Sequence, residues 1–152
     1  MKNKISTLLL TGLLATAYSF SVTAAEHHHE ENNSQLVLNQ GEKWVIDESL
    51  HIGMSGIKKE IIKNLDEIHH ERFTKQQYAD LVVTLDKYLA FLFENCKLPP
   101  LADAQLHILL ANVMQGVDKM KNSENKKQGA ILIIQSLKTY PVYFNDPNWQ
   151  GL

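Results

Sequence analysis

Apolar residues recur at three- and four-residue spacing through most of the chain, and that spacing predicts four helices. Leu50, Met54, Ile57, Ile61, Leu65 and Ile68 line one face of the first, which starts at Asp47 and ends near His70. Asp47 is a good N-cap, and Glu48 suits the positive first turn. The second helix carries Tyr78, Leu81, Leu85, Leu89, Leu92 and Cys96 on its stripe. Thr74 and Gln77 form a capping box at its start, Phe73 can staple to Tyr78, and Lys97-Leu98-Pro99-Pro100 stops it. The third, from about Leu101 to Lys121, is apolar over much of its circumference and centred on Leu106, Leu110, Val113 and Val117. A polar loop from Asn122 to Lys127 leads into the fourth, which runs from about Lys127 to Tyr140 with Ala130, Ile133, Ile134 and Leu137 on one face. Pro141 ends or kinks it. No internal repeat and no strand pattern stands out.

Four helices with short connections imply an all-α protein, an antiparallel up-down-up-down four-helix bundle over residues 47–145. Residues 1–25 read differently. Lys2 and Lys4 form a basic start, Ile5 to Phe20 an apolar run, and Val22-Thr23-Ala24-Ala25 a small-residue cleavage site. This is the pattern of a signal peptide, too short in its apolar core for a spanning helix. Residues 26–46 then form a His-containing N-terminal tail and entry segment with Gly41 as a turn. Residues 146–152 form a C-terminal tail capping the bundle.

Composition narrows the function classes. The 152 residues are about one domain's worth, and the net charge of −2 excludes a polybasic nucleic-acid binder. Removing Lys2 and Lys4 with the leader takes the 15 basic residues to 13, and against 17 acidic residues the charge becomes −4. The expected product is a periplasmic protein with no membrane span in its mature chain. One cysteine excludes an intrachain disulfide framework, a four-cysteine zinc site and a CxxCH haem attachment. A lone cysteine in an oxidising compartment calls for a reason.

Antiparallel counting supplies one. Met54 lies about two turns into the first helix, Cys96 in the last turn of the second and His107 nearly two turns into the third, so all three fall at one end of the bundle. His51 lies one turn from Met54, on its flank. Met54 and Cys96 sit near the centres of their apolar stripes, whereas His107 sits about 110° from the centre of its own at roughly 100° per residue. Asp103, four residues before His107, can hold one ring nitrogen as an outer partner. Trp44, Tyr140, Tyr143, Phe144 and Trp149 converge on the same end as an aromatic cap. Gly53 and Gly56 bracket Met54 and leave room for a helix or a cofactor.

A thioether, a thiol and imidazoles make a soft ligand set that favours copper, with Met54, Cys96 and His107 as metal ligands and His51 as a possible fourth. The mature N-terminus offers a secondary Cu(II) or Ni(II) site. Glu26, His27 and His28 put a free amine, backbone amides and an imidazole within one short stretch. His69 and His70 lie at the opposite end of the bundle. No phosphate-binding loop, nucleophile elbow or H-E-x-x-H motif is present, and no general acid/base pair marks an enzyme.

The early methionine, the bundle and the export signal resemble the periplasmic soluble b-type cytochromes and the related c-prime bundles. That resemblance implies a haem held by Met54. The fourth helix lacks the histidine that the b-type pattern requires, so His107 would have to supply the second ligand, and the c-prime attachment motif is absent. The chain is also similar to a group of uncharacterised exported bacterial bundle proteins. The carrying motifs are Lys43-Trp44, Asp47, Leu50 and Gly53-Met54; Asn95-Cys96-Lys97-Leu98; Ala102-Asp103 with Leu106-His107; Gly129-Ala130; and Tyr143-Phe144 with Pro147 and Trp149.

The leading expectation is a periplasmic copper-binding protein for electron transfer or copper delivery, working with a redox or metal-transfer partner. The alternatives are a haem-binding electron carrier using Met54 and His107, and a structural or interaction bundle with no cofactor.

Overall fold

A computed structural model of the chain describes residues 35–152. The signal peptide and the N-terminal Glu26, His27 and His28 lie outside the described residues. The order is β1 (Trp44–Val45), α1 (Glu48–His69), α2 (Lys75–Asn95), α3 (Pro100–Asn122), α4 (Lys126–Tyr143) and β2 (Phe144–Asn145).

The four helices are those the apolar spacing predicts. Their starts are set by local hydrogen bonds. Asp47 accepts from the Leu50 N–H at 2.7 Å. At α2 both halves of the capping box form: the Thr74 hydroxyl accepts from Gln77 N–H at 3.2 Å, and the Gln77 side chain accepts from Thr74 N–H at 2.8 Å. The Phe73 and Tyr78 rings meet edge to face at 4.8 Å, completing the staple. Asn125 caps α4 by accepting from Gln128 N–H.

Three boundaries differ from the expectation. α2 ends at Asn95, so Cys96 is its extended C-cap, with its N–H on the Leu92 carbonyl, rather than part of the last turn. α3 begins at Pro100, which occupies the first turn where its missing N–H leaves no bond unmade. α4 runs through Pro141 to Tyr143. A proline in the last turn removes one backbone bond, and the Phe144 N–H still donates to the Tyr140 carbonyl.

The core runs the length of the bundle. Leu50, Met54, Ile57 and Ile61 from α1 meet Leu85 and Leu92 from α2, Leu106, Val113 and Met120 from α3, and Ile133 and Leu137 from α4, all buried. Each helix packs on the next, and α1 also packs on α4. Contacts between neighbours run in opposite sequence order: Gly53 faces Leu92 while Gly56 faces Tyr88, and Gly116 faces Ile133 while Met120 faces Gly129. No helix of the described residues is long and apolar enough to cross a membrane.

One pairing was not visible in the apolar pattern. β1 and β2 pair in parallel, Trp44 opposite Phe144 and Val45 opposite Asn145. They join the segment before α1 to the segment after α4. The entry segment turns at Gln40 and Gly41, both with positive φ (52° and 93°), and closes with paired bonds between Asn39 and Glu42. It is then tied to α3 by Val37 N–H donating to Gln105.

Candidate functional site

The β1–β2 pairing brings both chain segments over the end of the bundle where α1 starts, and His51 lies in the first turn there. Aromatic side chains do cap this end. Tyr140 and Phe144 are fully buried and stacked at 5.3 Å, and Trp149 lies 4.7 Å from Tyr140. Trp44 is buried and donates its indole N–H to the Val37 carbonyl at 2.7 Å. Tyr143 packs half-buried against the same cluster.

Asp47 links two of the predicted residues. One carboxylate oxygen caps α1, and the other accepts the Lys97 N–H at 2.6 Å. The chain immediately after Cys96 is thereby fixed beside the first turn of α1, where His51 lies. Cys96 is half-buried and unpaired by any disulfide. Burial, then the Asp47 and Asp103 carboxylates, push its thiol up from 9.0 to about 12. The thiol is therefore held neutral, and a metal ion binding it must displace the proton.

Among the four, His51 is the one held by a fully buried carboxylate. Its Nδ1 lies 3.0 and 2.9 Å from the two oxygens of Asp146, whose side chain is fully buried. The Tyr140 hydroxyl donates to the same carboxylate at 3.2 Å, and the Asn148 N–H donates at 3.1 Å. The imidazole keeps 23% of its surface exposed and lines a cleft of about 320 Å³ between Val45–Glu48 and Asn145–Asn148.

Met54 and His107 are placed differently. Met54 is fully enclosed in the core. His107 lies on the outer side of α3, its side chain 56% exposed, with Nδ1 2.9 Å from the Asp103 carbonyl and 3.3 Å from its carboxylate. The expected Asp103–His107 pairing is thus present, and the ring lies 5.8 Å from the exposed Phe93 rather than among the core side chains. The room beside Met54 is taken: a Cβ at Gly53 would meet Leu92, and one at Gly56 would meet Tyr88. The glycines admit a neighbouring helix, and a haem ligated by Met54 would have to displace those side chains.

At the opposite end the His69 and His70 rings meet edge to face at 4.8 Å, and His70 pairs with Asp66 at 3.1 Å. Among the described residues, no group of three or more His, Cys, Asp and Glu side chains is arranged to hold a metal ion.

Asp146 and Tyr140 are the residues that spacing did not single out as partners of His51. Tyr140 was visible only as an aromatic of the cap. Asp146 carried a weaker signal, an aspartate before Pro147 in a turn-rich tail, the setting in which a carboxylate binds backbone N–H groups two residues on.

No protein-family model, curated protein or solved structure matches the chain.

Proposed function

We propose that the protein is an exported metal-binding bundle, copper favoured, that takes up and hands on its ion at the end where His51 lines the cleft. The observation that carries this reading is the His51 ring, held through Nδ1 by a buried carboxylate and partly exposed where it lines an open cleft. Metal-ligating histidines are held in this way. His51 would supply the imidazole. Cys96 is tied beside the first turn of α1 through Asp47 and supplies the nearest soft donor, a half-buried thiol, whereas Met54, one turn along the same helix, is enclosed in the core and would join only by leaving it.

An open coordination position is where an incoming ligand enters. Among divalent ions copper forms the strongest complexes with nitrogen and sulfur donors, and Cu(I) favours thiol and thioether. The bound metal would contribute its own redox or transfer chemistry. Delivery is favoured over electron transfer because the imidazole is solvent-accessible. Export, the partner and the kinship with exported bacterial bundles belong to the same proposal and rest on the leader-like N-terminus and the motifs quoted above.

The test is a Cu(I) titration of the purified protein against a chromophoric chelator, with His51→Ala, Cys96→Ala and His107→Ala in parallel. Saturation near one ion, with roughly tenfold or greater weakening in His51→Ala, is expected. His107→Ala should stay close to wild type. Equal affinity in wild type and His51→Ala would overturn the reading.

A further inference from the structure

Resting on that metal reading, we infer that Asp146 and Tyr140 are positioning residues that fix the tautomer of His51, so that Nε2 is the nitrogen presented to a ligand in the cleft. An ionised carboxylate only accepts, so the proton between His51 and Asp146 belongs to Nδ1. A neutral imidazole has one N–H, and Nε2 then carries the lone pair. Nδ1 and Nε2 lie on different edges of the ring, so with Nδ1 bound to Asp146 the lone pair on Nε2 is the one left for a ligand, and the ring keeps part of its surface exposed where it lines the cleft.

The carboxylate is itself built in. It has no exposed surface, and it is bound by Tyr140 Oη–H at 3.2 Å and by Asn148 N–H at 3.1 Å in addition to His51. Tyr140 is fully buried, and burial together with the Asp146 charge drives its phenol well above the ordinary value, so its proton stays available for donation. The tail carrying Asp146 is held from both sides. β2 pairs with β1 just before it. Beyond it, Trp149 packs on Tyr140, and Lys58 lies 4.1 Å over the Trp149 ring and donates to the Gln150 carbonyl. Two short strands, one tyrosine and the tail packing thus fix the carboxylate that holds this ring.

The experiment reads the tautomer and the metal separately. Two-dimensional ¹H–¹⁵N correlation of the His51 imidazole in the metal-free protein, above the pH of its titration, reports which nitrogen holds the proton. The wild type should show Nδ1–H. Asp146→Asn should shift the population toward Nε2–H, and Tyr140→Phe should shift it less. Affinity for Cu(I) alone should fall roughly 10–100-fold in Asp146→Asn and less in Tyr140→Phe. An Nε2–H wild type overturns the inference, and this reading needs no variant to fold. An unchanged tautomer in a folded Asp146→Asn overturns it too. A wild type with Nδ1–H that binds no Cu(I) supports the tautomer assignment and overturns the metal reading.

Discussion

Asp47 does two things that a cap alone would not require. Its first oxygen satisfies the start of α1 and its second holds the Lys97 N–H on the far side of α2. Asp47→Ala should lower stability by about 2 kcal/mol, roughly one for the cap and one for the long-range bond. Asp47→Asn, which keeps the cap acceptor, should lose less, and urea denaturation measures both. Cys96 makes a prediction in pH. Its thiol is raised from 9.0 to about 12 by burial and two carboxylates. Below 9.0 the folded and unfolded chains both hold the proton. Between 9.0 and about 12 the unfolded chain releases it and the folded chain does not, so stability falls as pH rises through that window. Tyr140 acts with the same sign. Cys96→Ala removes only the cysteine part, and stability curves of the two proteins against pH should diverge at alkaline pH. At this scale the cap at Asp47 and the Asp103–His107 pair were readable because both partners lie within one turn. The long-range bonds of Asp47 and Asp146 were not, because they join residues 50 and 95 positions apart.

The helices were readable because each carries its own start signal and a period of apolar residues that no strand would use. Pro141 shows where local reading overreaches: a proline stops a helix interior, but in the final turn α4 continues past it. The α1–α2 turn hides a different feature. The Glu67 carbonyl receives the Arg72 N–H at 2.9 Å, and Glu71 takes a φ of 59° in the left-handed region. That is a helix stop that glycine fits best. Glu71→Gly should therefore stabilise the protein by up to about 1 kcal/mol, since the exposed pairing of Glu71 with Lys127 contributes little. α3 and α4 approach through glycine on both sides, and a Cβ at Gly116 would fall 2.7 Å from the Gly129 carbonyl oxygen. Gly129→Ala should cost about 1–3 kcal/mol, despite alanine's better helix propensity, because rigid backbone cannot yield. Thermal unfolding of the two variants should move in opposite directions.

At the scale of the molecule, the ends of the bundle chain meet. β1 and β2 are two residues each and lie about a hundred positions apart, too short for an alternating pattern to announce them. Their pairing nevertheless places the Asp146 tail against α1 and makes the cleft at His51. The soft-ligand set read from spacing ranks residues by height along the bundle, and height carries no information on depth. Helical height says how far along an axis a residue lies; it does not say that Met54 is sealed in the core while His107 faces out. The off-centre angle of His107 was the one sequence signal of that difference. His51 differs from the exposed His70 and His107, which also pair with carboxylates, in resting on a fully buried one beside a cleft, and the function proposed follows from that difference. Elemental analysis of the exported protein, purified without added metal beside its His51→Ala variant, decides whether that imidazole is a ligand. About one copper per chain in the wild type, lost in the variant, is the predicted result. A wild type with no metal above background, or equal copper in both, would contradict it.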